Sequence, residues 1–509
     1  MPVNEPGYSY LIQQYQLAAS PLQLRARIDA KIKGRQIQHS ADQDVLVFEP
    51  KYQPVNTLAG HLQFALRYEG INLEVLSLLF QQSGKVELTA WLLQSPASIY
   101  ARRSGFLYEW LTDDELSVNV PPKERYVDLV DNTLQFCLKT GEKNTRFRIR
   151  NNLPGNRNFC PLARKTHYLS EMVAYDMREK TRKTLAKYDD DLLRRAAGYL
   201  YLKETQSSFE VELEQPSPDR SQRFADLLRQ ADTQVPLTEE RLAELQQAVV
   251  DPRFHEFNWR HQQTWVGKDF GYRKQIDFVP ARPTDVPALM SGLLSLDTSA
   301  RDWYNKEEDN DDASQIDPVV LAAVIAFGFV FIHPFMDGNG RIHRYLIHEV
   351  LANAGFTPRG IILPVSAVIL ANLDEYILAL EAFSKPVRAK TLFNPDTPDI
   401  AATGNDAVYF RYFDATHQVE FLYQALVRTV EEDLEKEIDY ILRFDQAYKT
   451  LNDLLDWPAH RLELFIRVVQ QNEGVLSKTK QDSHFDWMTT EEIQQAEKQV
   501  AEAFQITKT

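Results

Sequence analysis

A mostly α-helical protein is predicted by three observations. The run VVLAAVIAFGFVFI, Val319 to Ile332, is apolar on every side, as in a helix buried all round. Beyond it, RIHRYLIHEVLANAG from Arg341 sets Ile342, Leu346, Val350 and Leu351 at helical spacing, and Gly355 reads as its stop. Farther on, Leu422, Leu426, Val430, Leu434, Ile438 and Ile441 recur along a long amphipathic stretch from about Thr416 to Leu455.

A chain of 509 residues has room for two to four domains. We divide it into an α+β extension (1–165), a central helical unit (166–390) and a helical C-terminal region (391–509). Hydrophobic residues at 44% and charged residues at 25% give an ordinary globular balance, so overall disorder is not expected. A formal net charge of −15, without a basic recognition helix, argues against a nucleic-acid partner. The two cysteines, Cys137 and Cys160, are far apart and read as free thiols of a reducing compartment. The N-terminus lacks a basic region followed by an apolar core, and the longest apolar run is too short for a bilayer needing roughly 20 residues. Cytoplasmic residence without a membrane is therefore the expectation.

In chain order, Leu22 to Ile32 ahead of Gly34 is read as helical, and Val45 to Phe48 as a short strand. Thr57 to Leu116 is helical, and within YARRSGFLYEWL the pair Arg102 and Arg103 is assigned to core packing rather than to ligand binding. Tyr126 to Val130 and Phe147 to Ile149 are strand-like, followed by the turn-rich link NNLPGNRNFCPL. Helices resume from Tyr168 to Tyr201, and Leu237 to Val250 starts well with Thr238 as cap. Gln262 to Pro283 reads as a β-hairpin: Ile276 and Phe278 alternate with Gln275 and Asp277, and Gly267 and Gly271 bracket the turn. Acidic EEDNDD, Glu307 to Asp312, reads as a solvated loop. Ser366 to Phe383 is helical, Leu392 to Val408 is a turn-rich linker, and two shorter helices, about His460 to Asn472 and Thr489 to Phe504, end the chain as a winged helix or a plain bundle.

The chemistry concentrates between the first two segments, in HPFMDGNGRIHR, His333 to Arg344. Asp317 and Pro318 open the helix before it as cap and first-turn proline. Gly338, Asn339 and Gly340 put pliant backbone just ahead of the next helix start, where unpaired N–H groups and the helix dipole favour an anion. Arg341 and Arg344, three apart on one helix face, suit a polyphosphate. Asp337 offers the hard oxygen that Mg2+ prefers, and His333 can take a proton from a hydroxyl near neutral pH. Together these are the parts of phosphoryl or nucleotidyl transfer. His343 and His348 receive no role.

The same residues match HPFx(D/E)GNGRxxR at every specified position, and on them the chain resembles the Fic family. That resemblance implies a Fic-type helical core that transfers AMP from ATP, with Mg2+, to a Tyr, Thr or Ser hydroxyl of a protein, and with release of pyrophosphate. His333 would be the general base, Asp337 the metal ligand, and Gly338, Asn339, Gly340, Arg341 and Arg344 the phosphate ligands, Arg344 at the terminal phosphate. Upstream, Ser208 and Glu212 in SSFEVELEQPS resemble the family's inhibitory motif (S/T)xxxE(G/N), with Leu213 where that motif has Gly or Asn. A carboxylate on Arg344 would remove the counter-charge that the γ-phosphate needs. The hairpin resembles the family's flap, with Gln275, Ile276, Asp277 and Phe278 docking the target as an added strand. Two other readings stay open: the same site removing AMP, with Glu212 activating water, and a non-catalytic nucleotide sensor. Self-modification and a homodimer are also left open.

Overall fold

The computed structural model describes residues 5–39, 43–118, 120, 123–305, 316–397, 400–454 and 457–506. The acidic run Glu307 to Asp312 lies outside the described residues. Helices dominate, with two small three-stranded sheets in the first 151 residues and one two-stranded hairpin near residue 270.

At the centre is the helix Pro318–Ile332. Asp317 Oδ1 accepts from Val319 N (2.9 Å) and Val320 N (3.2 Å), and Pro318 fills the first position, so the start is fixed before any packing. Between Val319 and Ile332 every side chain except Val330 is buried. The helices Val286–Asn305, Asn339–Asn353 and Thr416–Arg428 pack around it. Phe327 shows the cost of losing one contact: its ring lies 4.7 Å from that of His343 and 6.2 Å from that of Phe421, and Phe327→Ala would cost about 3–5 kcal/mol.

One continuous apolar core runs from Tyr8 to Ile441. The segment expected as a turn-rich link enters this core: Phe159 and Cys160 are fully buried. A methyl group on Gly328 of the central helix would come within 2.3 Å of Phe159 Cζ, and one on Gly292 within 2.7 Å of its Cβ, so the ring lodges where two helices lack side chains. A second core, from Ala447 to Phe504, closes the C-terminal helices.

Several expected elements are present: helices from Leu58 to Thr112, a strand at Asp44–Phe48, and the long C-terminal helix, which passes through a π-turn at Thr429–Asp433. Arg102 and Arg103 are structural, donating to the carbonyls of Arg125 and Asp128. The expected helix Leu22 to Ile32 is instead a strand, Leu24–Ile28, paired in parallel with Asp44–Phe48. Ala26 and Ile28 are buried and Arg27 is exposed, a period of two that overrides the helical spacing. The hairpin forms between Val266–Asp269 and Lys274–Phe278, with Gly271 in its turn. Gly267 does not bracket that turn; it sits in the first strand at a bulge, where its φ of 154° places it against the partner's backbone. The C-terminal region ends in helices Ala459–Gln471, Lys478–His484 and Thr490–Ala503; the middle one was not expected.

Candidate active site

The site is the junction between the central helix and the helix Asn339–Asn353. His333 ends the first with a left-handed backbone (φ 57°), and Gly338 opens the second at φ 90°. Between them Asn339 braces the loop: its Oδ1 accepts from Phe335 N (3.1 Å) and its Nδ2 donates to Phe335 O (2.8 Å). Asn339 thus shapes the loop with its side chain and offers a ligand only its backbone N–H.

The His333 ring is partly buried, and its Nδ1 lies 3.2 Å from Val330 O. With the proton on Nδ1 shared with that carbonyl, Nε2 is left as the free base. Burial holds the imidazole well below its ordinary range, down to about 4, with the Arg260 guanidinium as the next cause. Asp337 is half exposed, and its Oδ1 accepts from Arg341 Nη2 (2.9 Å) and from Gly338 N (2.6 Å).

Both arginines are almost fully buried and already paired. Arg344 donates from Nη1 to Glu212 Oε1 (2.9 Å), from Nε to Ser208 Oγ (2.9 Å) and from Nη2 to Ser208 O (2.6 Å). Arg341 donates from Nη1 to Glu214 Oε2 (3.0 Å) and to Val249 O (2.7 Å). Phe209, between Ser208 and Glu212, lies under the Arg341 guanidinium at 5.3 Å. A side chain at position 340 would strike the Glu212 carboxylate, since a Cβ there falls 2.1 Å from Oε1. The Glu212 carboxylate therefore occupies the N-terminal turn of the motif helix, where an anion is favoured.

Glu212 reaches that point as the C-cap of the helix Asp190–Val211. Leu213 follows with φ 58°, the conformation that favours Gly or Asn, and its side chain is 91% exposed. Crowding raises the Glu212 pKa, but Arg344 above all, then Arg341 and His333, more than reverse this and hold the carboxyl below its ordinary range. Its side chain keeps 37% of its surface open, so the charge stays in reach of water.

The hairpin residues are divided. Gln275 and Asp277 are exposed and bonded to each other (2.9 Å); Ile276 O accepts from Arg388 Nε (3.2 Å); and Phe278 is buried with its ring 6.0 Å from that of Phe383. Three site residues escaped sequence reasoning: Glu214, Glu256 and Arg260. Glu256 Oε2 accepts from Met336 N (2.8 Å), inside the motif loop. The motif carries no letter for any of the three, and only the acidic run EVELE hinted at a second carboxylate beside Glu212.

Residues 236–351 match the model of the Fic/DOC family. This segment is a Fic domain. Ser208, Glu212 and Glu214 lie before the Fic match; the helix Asp190–Val211, which carries Ser208 and ends at Glu212, packs on the helix Asn339–Asn353 inside it. The chain is similar to the protein adenylyltransferase Fic of Drosophila willistoni, 35% identical over 100 residues, which is 20% of this chain and 16% of that protein. It is also similar to protein adenylyltransferase fic-1 of Caenorhabditis briggsae, 33% identical over 106 residues, 21% of this chain and 17% of the other. The chain thus spans about a sixth of the length of these curated relatives. A Fic family protein from Desulfovibrio desulfuricans aligns with a TM-score of 0.36 at 17% identity, covering 67% of this chain and 85% of that one.

Proposed function

We propose that the chain is a protein adenylyltransferase, restrained in the present arrangement by Glu212. The observation that carries this reading is the Glu212 carboxylate paired with Arg344 at the N-terminal turn of the motif helix, an anion already seated where a nucleotide phosphate would lie. Similarity to named adenylyltransferases over the Fic domain supports AMP transfer as the reaction.

In this reading His333 Nε2 takes the proton from a target Tyr, Thr or Ser hydroxyl as its oxygen attacks the α-phosphorus of ATP. The bond from the α-phosphorus to the bridging oxygen breaks, and pyrophosphate leaves. Backbone N–H groups of Gly338, Asn339 and Gly340 would receive phosphate oxygens, with Arg341 and Arg344 balancing their charge. For Mg2+ the donor set fits: one half-exposed carboxylate, Asp337, is what an ion otherwise held by phosphates and water asks of the protein. The ion would neutralise phosphate charge when bound. Exposed Gln275 and Asp277 on the hairpin are where we place target docking. We take residues 166–390 as the unit that carries the reaction, since the inhibitory helix, hairpin and motif all fall within it. Among the described residues no helix is long and apolar enough to cross a membrane, and we propose a protein target in the cytoplasm.

The full chain should be incubated with ATP labelled at the α-phosphate and a lysate, beside Glu212→Gly and His333→Ala forms. Label gained with Glu212→Gly and lost with His333→Ala supports the reading; equal labelling of all three removes it. Because Glu212 is ionised, open to water and within reach of His333 electrostatically, the reverse reaction has support of its own. Loss of AMP from a pre-labelled target, dependent on Glu212, would favour removal instead.

A further inference from the structure

Arg260 is only 3% exposed, yet no carboxylate among the described residues bonds to it. Its donors go to main-chain carbonyls from two separate parts of the site. Nε donates to His333 O (2.7 Å), and Nη2 reaches Ile332 O (3.5 Å), at the end of the central helix. Nη1 donates to Gln262 O (2.8 Å) and Nη2 to Ala281 O, the two feet of the hairpin. Its own N–H donates to Pro334 O (2.8 Å). Burial pulls the guanidinium down to about 10, with Glu256 opposing, so it is charged at neutral pH.

We propose that Arg260 is a positioning residue that staples the base of the hairpin to His333, fixing the distance between a docked target strand and the base that must deprotonate it. The planar fork makes this possible, because five N–H groups at fixed angles can satisfy carbonyls from several segments at once. His333 needs such support. Its backbone is left-handed, and the carbonyl that follows the strained φ is the one Arg260 holds. The guanidinium also sets a positive charge beside the imidazole, whose other charged neighbours are Glu212 and Asp337. Neither the motif nor the hairpin contains Arg260, so the role is carried by these contacts alone.

The inference rests on His333 as the base, and its test separates the two. Arg260→Met and Arg260→Lys are made in the full-length chain. Hydrogen exchange is followed at residues 262–281, and the His333 ring is titrated by histidine-selective NMR, its signal assigned by loss in His333→Ala. Arg260→Met should speed exchange at the hairpin feet and move the His333 midpoint upward by about one unit. In a Glu212→Gly background it should lower kcat by about 10²-fold with KM for ATP little changed, and shift the acid limb of the rate to higher pH. Arg260→Lys, which keeps the charge but not the fork, should speed exchange and leave the titration in place; it also serves if the Met form fails to fold. Faster exchange in Arg260→Met with an unmoved His333 titration would reduce Arg260 to a packing group and overturn the proposal, as would unchanged exchange in both variants. If AMP transfer is absent from every form, the function proposed above fails, while exchange and titration still decide the staple.

Discussion

Glu214 Oε2 lies 3.0 Å from Arg341 Nη1, so each of the two motif arginines is paired with its own carboxylate from the end of one helix. Glu212 holds Arg344 and Glu214 holds Arg341, on either side of the left-handed turn at Leu213. Glu214 also pairs with Arg220 (2.9 Å), so its charge is shared between two guanidinium groups, whereas Glu212 is paired with Arg344 alone among the described residues.

Glu212→Gly should raise AMP transfer by roughly 10 to 150-fold, the equivalent of a charge-assisted hydrogen bond of about 1.5–3 kcal/mol. Adding Glu214→Ala should give a further twofold to fivefold, about 0.5–1 kcal/mol, because Glu214 already divides its charge between Arg341 and Arg220. Initial rates with labelled ATP for parent, single and double variants check both steps. A double variant no faster than Glu212→Gly would leave Glu214 a structural contact.

Leu213→Gly should strengthen the restraint. A left-handed backbone costs a non-glycine residue about 1–2 kcal/mol, and the exposed Leu213 side chain has little packing to lose. Basal AMP transfer should fall about fivefold, and denaturant midpoints should rise. Asn at the same position should fall between Leu and Gly. An increase in basal transfer would mean that the strained turn helps hold Glu212 in place.

His333→Ala should lower AMP transfer by about 10²-fold or more, with ATP affinity by calorimetry nearly unchanged. The pH profile carries the sign. Because the folded pKa is held near 4, the base stays neutral through mildly acidic conditions, and transfer should not decline between about pH 7 and 5.5 on account of this group. A midpoint near 6.5 in the rate profile would show an imidazole in ordinary surroundings.

Glu69 should make the fold less stable as pH rises. Glu69 is 6% exposed, its Oε1 has no hydrogen-bond partner among the described residues, and burial raises its pKa to about 8. Between its ordinary value and 8 the folded chain holds a proton that the unfolded chain releases, so stability is present at low pH and drains away through that window. Glu69→Gln keeps an acceptor for Tyr8 N and removes the titration. Urea melts at pH 5 and pH 8 should show a smaller loss in Glu69→Gln than in the parent; equal losses would place the sensitivity elsewhere.

What could be read in the sequence was local. Asp317 and Pro318 announce a helix start because cap and first-turn chemistry act within a few residues, and HPFMDGNGRIHR keeps its members close enough in the chain to be seen together. The strand Leu24–Ile28 is hard to read because five residues carry too little periodicity to outweigh a neighbouring helical pattern, and its parallel partner, Asp44–Phe48, lies beyond an intervening strand, Arg35–His39. Arg260 was invisible for a deeper reason. It binds carbonyl groups, which every residue has, so no partner's identity betrays it. Leu213 was legible as a departure from a pattern, but its physical meaning needed the backbone angle.

The seating of Phe159 between Gly292 and Gly328 bears on how the helices around the motif can be handled apart from the residues that precede them. A piece cut at residue 166 would keep the motif, the hairpin and the helix Asp190–Val211, and would still carry an empty ring-shaped slot down the side of its innermost helix. Filling that slot is a debt of about 3–5 kcal/mol, comparable with the whole stability of many small domains. Larger residues at 292 and 328 would therefore be wrong in the full chain and right in the excised one.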